Sequence, residues 1–279
     1  MVSIVQWPRT SPCGGENAGS NPAGYPKMSF HKKLAVFDLD GTLTESKQPL
    51  DKEMAFLLLE LSKKTMVAVI SGASYEQFRA QFLSHFTSPE LAGNNLILLP
   101  TSGSQCYEFD DPTGDWKLVD EIPFAPADKE KVLTVLREII SSGQFDIPTE
   151  SQGDYIEDRG TQITFSALGQ RATQESKQAW DPDKVKRQKI KTEIDRQVPG
   201  LSISFGGMSS VDILPAGQNK ATGLKRFLAR IKLPIADVVF VGDSLFAGGN
   251  DLSVKETGIE TLAVSGPAET KALISDWLT

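Results

Sequence analysis

The sequence predicts a doubly wound α/β core interrupted by a separate α+β domain. Three observations lead there. Short apolar runs alternate with amphipathic helical stretches at both ends of the chain. Several of those runs break off at a carboxylate, a serine or a glycine, as strands ending over a ligand crevice do. Between about 121 and 216 the alternation gives way to strand pairs with intervening helices.

Residues 1–29 are expected to be disordered. The stretch Ser11 to Gly24 is rich in glycine, proline, asparagine and serine and offers nothing to bury. It contains no apolar run of signal-peptide type, so the expected location is cytoplasmic, and Met28 stands as an alternative start. Leu34 to Phe37 is apolar on both faces, as a central strand of a helix-covered sheet should be. Leu50 to Leu61 reads as an amphipathic helix, with Met54, Leu57, Leu58 and Leu61 inward. Met66 to Ile70 is a second buried strand, ending at Ser71-Gly72. A helix then opens at Ser74, with Gln77 completing a capping box and Tyr75, Phe78, Phe82 and Phe86 on one face. Asn95 to Leu99 is a third strand. Gln105–Phe109 and Trp116–Val119 flank a turn-rich stretch and read as a hairpin, which completes the first part of the core, 30–120.

Pro123 and Pro126 suggest a hinge into the inserted domain, 121–216. Lys129–Ile140 is a helix stopped by Gly143. Asp154–Asp158 and Thr161–Ser166 are strands, Asp183–Val198 is a charged helix, and Leu201–Phe205 and Ser209–Leu214 are strands again. The basic residues Lys184, Lys186, Arg187, Lys189 and Lys191 are expected to form a solvated helix face. The core resumes over 217–279. A helix at 219–231 is followed by strands at Val238–Val241 and Thr261–Val264, then a final helix with Leu273, Ile274 and Trp277 inward.

The composition excludes several functions. The 279 residues carry a net charge of −7, which disfavours a nucleic-acid partner. No apolar run is long enough to span a bilayer. Cys13 and Cys106 alone make neither a disulfide framework nor a zinc-cysteine cluster. His31 and His85 are the only histidines, which argues against a histidine-rich metal site, a Ser-His-Asp hydrolase and a phosphohistidine mutase.

The chemistry concentrates at strand ends. Asp38 and Asp40 follow the first strand, one residue apart, with Gly41 to turn the chain. Such a pair suits binding of a hard cation, or a nucleophile with a general acid/base beside it, and an Asp pair capping a loop has the same spacing. Ser71 and Asp243 end two other strands, and Lys220 opens a helix. A phosphoryl group in transfer needs such a set: a cation, a lysine and hydroxyl or backbone donors around its charged oxygens.

The full stretch Asp38-Leu-Asp-Gly-Thr-Leu-Thr44, followed in order by Ser71, Lys220 and Gly242-Asp243, resembles the four signatures of the haloacid dehalogenase (HAD) superfamily of phosphoryl-transfer enzymes. That resemblance implies a Rossmann-like core with an inserted cap, Asp38 as the phosphorylated nucleophile and Asp40 as general acid/base. It also implies Ser71, Gly72 and Lys220 as phosphate-binding residues, and Mg²⁺ held by Asp38, the backbone carbonyl of Asp40, Asp243 and Asp251. Arg159 to Gly169, Gly206 to Pro215 and Gly242 to Asp251 are similar to the eukaryotic-type phosphomannomutases, which interconvert mannose 6-phosphate and mannose 1-phosphate through a sugar bisphosphate. This implies Arg159, Ser210 and Asp212 on the sugar phosphate, and pairing of two copies through the cap. The chain departs from that family where arginine is expected. Gln170 follows Leu168-Gly169, with Arg171 one residue later, and Lys177 and Lys47 stand for two further arginines. Asn219 replaces an aspartate before Lys220. Lysine and glutamine lack the bidentate fork of arginine. These positions, Lys47, Gln170, Arg171 and Lys177, remain the expected substrate grip, and hydrolysis by the same core, as a hexose-phosphate phosphatase, is the alternative.

Overall fold

The computed structural model describes residues 30–279; the expectations for residues 1–29 and for Met28 lie outside this range. In chain order the elements are β1 (Leu34–Asp38), α1 (Lys52–Lys64), β2 (Met66–Ile70), α2 (Tyr75–Gln81), α3 (Ser88–Leu91), β3 (Leu96–Leu99), α4 (Pro100–Gly103), β4 (Gln105–Asp110) and β5 (Asp115–Glu121). There follow α5 (Pro126–Ser141), β6 (Ile156–Asp158), β7 (Ile163–Ser166), α6 (Gln174–Trp180), α7 (Val185–Gln197), β8 (Ser202–Gly206) and β9 (Ser210–Leu214). The chain closes with α8 (Lys220–Ile231), β10 (Val238–Gly242), α9 (Leu252–Lys255), β11 (Glu260–Ala263) and α10 (Pro267–Leu278).

Two sheets result. The seven-stranded sheet has the order β11-β10-β1-β2-β3-β4-β5. Its first five strands run parallel, and the β4–β5 hairpin adds on antiparallel. β1 sits in the middle because its sequence can be buried on both faces. Ala35 and Phe37 join the core under α1, α2 and α10, while Leu34 and Val36 join the core under α8. From β1 the chain winds to β2 on one side, and the later β10 docks on the other. The point where the winding reverses is where such sheets open a crevice at the carboxyl ends of their strands.

The four-stranded antiparallel sheet, β6-β7-β9-β8, forms the cap. Its core is Val132, Leu136 and Ile139 of α5, Ile190 and Ile194 of α7, and Phe165 and Val211 of the strands. Pro126, expected at a hinge, takes the first turn of α5, where its missing N–H costs nothing. Two local expectations are corrected here. The apolar stripe from Tyr75 to Phe86 is not one helix: α2 ends at Gln81 and a 3₁₀ turn carries the chain on. The basic face of α7 is not wholly solvated. Arg187 lies in phase with Ile190 and Ile194, on the inner side. Its Nε is 2.7 Å from Asp181 Oδ2, its Nη1 donates to Gly207 O at 2.8 Å, and its guanidinium stacks 5.1 Å from the Phe205 ring. A buried arginine survives there because Asp181 and the Gly207 carbonyl accept from it and Phe205 offers it an aromatic face.

One contact fixes the crevice floor. α8 packs against α4, where Thr101 and Ser102 are both left-handed, with φ of 49° and 58°. Gly223 makes the approach feasible: a Cβ there would stand 2.4 Å from Ser102 O and 2.8 Å from Gly103 Cα. Glycine in a helix interior normally costs about 0.5–1 kcal/mol relative to alanine. Here Gly223→Ala is expected to reverse that sign and destabilise by about 1–3 kcal/mol through overpacking, read as a lower denaturation midpoint at unchanged m-value. An unchanged or higher midpoint would contradict this reading of the α4–α8 contact.

Candidate active site

The site is assembled from the ends of three neighbouring parallel strands. Asp38 is the last residue of β1, in register with Ile70 of β2, and Ser71 follows directly. On the other side Asp243 follows Gly242, the last residue of β10. Lys220 enters from above as the first residue of α8. That helix start is fixed by a capping box in which Asn219 accepts from Thr222 N–H and Thr222 Oγ accepts from Asn219 N–H.

The resulting group is buried and highly charged. Lys220 Nζ lies 2.5 Å from Asp38 Oδ1 and 2.6 Å from Asp251 Oδ1. Carboxylate oxygens of Asp38, Asp243 and Asp251 lie within 4.8 Å of one another. One lysine therefore faces three carboxylates. Burial, reinforced by Asp251 and Asp40 and opposed by Lys220, pushes the Asp38 carboxyl up to about 8. Asp243 is raised too, by burial and then by Asp251. Burial works against the Lys220 ammonium, but Asp251 and Asp38 outweigh it and raise its pKa. This arrangement lacks positive charge, which a divalent cation would supply.

The backbone has been cleared for these carboxylates. Gly41 has φ of 83°, and a Cβ there would sit 2.6 Å from Asp243 Oδ2. A Cβ on Gly242 would sit 2.5 Å from Asp251 Oδ2. Any side chain at either position would evict a carboxylate. Thr42 and Ser244 complete the cradle: Asp243 N–H donates to Thr42 Oγ at 3.0 Å, and Ser244 N–H donates to Asp251 Oδ2 at 3.2 Å. The hard oxygen donors of Asp38, Asp243 and Asp251 fit a hard cation of the Mg²⁺ class. The Asp40 carboxylate lies outside that cluster. Its Oδ1 accepts from Lys47 N–H at 2.6 Å and from Gln81 Nε2 at 2.9 Å.

The cap residues fall into two groups. Asp212 and Arg159 lie over the Ser71–Gly72 loop. Asp212 Oδ1 accepts from Thr164 Oγ at 2.8 Å, and burial raises its pKa against the pull of Arg159. Arg159 donates to Gly72 O at 2.6 Å and pairs with Glu157 at 2.6 Å. Gln170 also donates to Glu157, at 2.8 Å, and Ser210 Oγ pairs with Ser166 Oγ at 3.0 Å. The second group is a pair of ammonium ions. Lys177, buried on α6, donates to Gln170 O at 2.9 Å. Burial and the nearby Lys47 ammonium pull its pKa down to about 8. Arg171 does not join either group. It is exposed, and lies against Gly153, where a Cβ would stand 3.1 Å from its Nε.

Sequence reasoning passed over Gln81, Glu157 and Gln162. Gln81 bridges Asp40 and Thr44 at 2.9 Å each, yet the sequence offers only a glutamine at the end of an apolar helix. It also passed over α6, a seven-residue helix capped by Thr173, whose side chain accepts from Ser176 N–H.

The chain is similar to known proteins in both sequence and fold. A family model described as eukaryotic phosphomannomutase matches residues 54–279, which takes in Ser71, Lys220, Asp243 and Asp251. A probable phosphomannomutase of Caenorhabditis elegans is 26% identical over 262 residues, covering 88% of this chain and 96% of the relative. The phosphomannomutase of Encephalitozoon cuniculi is 26% identical over 250 residues, covering 86% and 91%. Among solved structures, the IMP-nucleotidase of Plasmodium falciparum superposes with a TM-score of 0.67 at 20% identity, over 88% of this chain and 62% of that one. The C-terminal domain of trehalose-6-phosphate phosphatase from C. albicans gives 0.59 at 17% identity, over 89% and 92%. At such identities the structural likeness establishes the fold alone, an α/β core with its cap. The family match, which spans the cap and all of the core after the start of α1, goes further: the chain belongs to the eukaryotic phosphomannomutase family and is an enzyme of phosphomannomutase type.

Proposed function

We propose that the protein interconverts hexose 6-phosphate and hexose 1-phosphate, with mannose as the leading sugar, through a phosphorylated Asp38. The observation that carries this is Lys220 held between Asp38 and Asp251 beside Asp243, at the strand ends where a phosphoryl group would bind. Asp38, Asp243 and Asp251, with the backbone carbonyl of Asp40, would hold Mg²⁺, which when bound neutralises charge on the phosphoryl oxygens. Lys220 occupies Asp38 Oδ1, which leaves Oδ2 to attack phosphorus. As the new P–O bond forms, the bond to the sugar oxygen breaks, and Asp40 delivers a proton to that oxygen. Lys47 N–H and Gln81 both hold Asp40 by Oδ1, so Oδ2 is the oxygen that exchanges the proton. Ser71 and Lys220 bind the oxygens of the transferring group. The phosphoryl donor in this half-reaction is the 1,6-bisphosphate, which leaves a hexose monophosphate. In the second half-reaction the free hydroxyl of that monophosphate loses its proton to Asp40 and takes the phosphoryl group as its bond to Asp38 breaks, which regenerates the bisphosphate. The work is cytoplasmic on this reading, with a sugar phosphate as partner and two copies joined through the cap.

Lys47 and Lys177 support the grip on the distal phosphate. Two ammonium ions held together, one of them buried, repel until a dianion arrives between them. One observation favours hydrolysis instead: Arg159 and Gln170 are both committed to Glu157, so the distal grip has fewer free donors. Phosphorus NMR decides between the two. Mannose 1-phosphate or glucose 1-phosphate with Mg²⁺ is expected to give the 6-phosphate, faster with the 1,6-bisphosphate present. Inorganic phosphate as sole product would leave a phosphatase.

The pH dependence follows from Lys177. With a pKa of about 8 in the free enzyme, it is charged below that value and neutral above it. Since kcat/KM reports the free enzyme, it is expected to fall through pH 8 to 9. Lys177→Arg, charged throughout, should remove that fall. A profile in Lys177→Arg identical to the wild type would assign the titration to another group.

A further inference from the structure

Among its contacts with the core, the cap meets a peptide group beside Ser71, and a residue with no assigned role makes part of that contact. Arg159 Nη1 and Gln162 Nε2 both donate to the carbonyl of Gly72, at 2.6 and 3.1 Å. The same peptide carries the N–H of Ala73, which donates to Ser71 Oγ at 3.1 Å. Carbonyl and N–H of a trans peptide point in opposite directions. Holding the carbonyl toward the cap therefore aims the N–H at the serine. With that N–H occupying an Oγ lone pair, the hydroxyl proton of Ser71 is left to be donated elsewhere.

The loop is anchored from below as well. Ser102 N–H donates to Ser71 O at 2.7 Å, and Thr101 N–H donates to Ala73 O at 2.9 Å. Beside it the cap's Thr161 hydroxyl meets Thr101 Oγ and Ser104 Oγ, both at 2.8 Å. Among the described residues, the Gly72 carbonyl takes its hydrogen bonds from the cap, whereas Ser71 O and Ala73 O take theirs from the core.

Gln162 is kept there against stability. It is fully buried, and its Oε1 has no partner among the described residues. Flipping the amide would not help, since Oε1 would then face the Gly72 carbonyl. Nor would replacement by an apolar residue strand a neighbour. Gly72 O would keep Arg159, and Thr164, which receives the other Gln162 proton at 3.0 Å, would keep Asp212. A buried polar group that its surroundings could spare is a sign of function rather than of packing.

We infer that Gln162 is a positioning residue: through the 72–73 peptide it makes docking of the cap aim the Ser71 hydroxyl at the transferring phosphoryl group. The cap thus reports its closed state to the phosphate site. This rests on the phosphoryl-transfer reading of the core, and does not depend on which sugar is the substrate.

A double-mutant cycle tests it. Inorganic phosphate is titrated calorimetrically, with Mg²⁺, into the full chain, into Gln162→Met, into Ser71→Ala and into the double variant. Gln162→Met is expected to weaken phosphate by about five- to tenfold, and by less than twofold when Ser71 is already alanine. Its melting temperature should match or exceed that of the wild type, which a structural role would not allow. Gln162→Glu, of equal shape but with an acceptor facing the carbonyl, should weaken phosphate at least as much. With hexose 1-phosphate, Gln162→Met should lower kcat and leave KM within twofold. Equal losses with and without Ser71, or a loss matched by a fall in melting temperature, would overturn the inference. The cycle and the sugar assignment fail separately. Coupling to Ser71 in a chain that turns over neither hexose phosphate would sink the sugar assignment and uphold the role of Gln162.

Discussion

The structure depends on placing one ammonium ion among carboxylates at the end of a buried strand. Lys220, Asp38 and Asp251 are each nearly inaccessible to solvent, and removing the lysine would leave two carboxylates uncompensated in a low-dielectric site. Much of the surrounding chain serves this arrangement. The capping box of α8 fixes where Lys220 begins, Gly223 lets that helix approach α4, and Gly41 and Gly242 leave room for the carboxylates. Even then the charges do not balance. The excess of carboxylate is tolerable in an enzyme that works with a bound cation and an incoming phosphoryl group, and would be hard to explain in a protein built only for stability.

Most of the core could be read from residues alone. β2 runs from Met66 to Ile70, where its apolar run is bounded by a lysine-threonine pair and a serine-glycine pair, and α2 starts after Ser74, where the capping box stands. Signals of this kind are local, so the sequence carries them in full. The α+β character of the insertion was also legible, from strands that pair without parallel alternation. What could not be read was decided by distant partners. Arg187 looks like one more charge in a basic run until Asp181 and Phe205 come to meet it. Pro126 resembles a hinge and turns out to begin a helix, because proline suits both.

The site divides the same way. Asp38, Ser71, Lys220 and Asp243 could be singled out because each sits where a strand ends or a helix begins. The surroundings of the cap residues could not. Glu157 collects Arg159 and Gln170 only after β6 and the turn that follows β7 fold together, and nothing in the spacing says that Arg159 reaches the carbonyl of Gly72. Gln162 and Gln81 are invisible for another reason: an isolated glutamine has no pattern, and its meaning lies wholly in the two groups it joins.

The return path of the chain from cap to core ties these parts together. Five residues, Pro215 to Asn219, separate the end of β9 from Lys220. β9 carries Asp212, and Asn219 caps the helix that Lys220 opens. The connector is therefore a short lever with the cap sheet at one end and the charged triad at the other. Substitutions in it would be felt at both ends, though none of its residues belongs to either. An enzyme of this build cannot be divided into a part that recognises and a part that reacts.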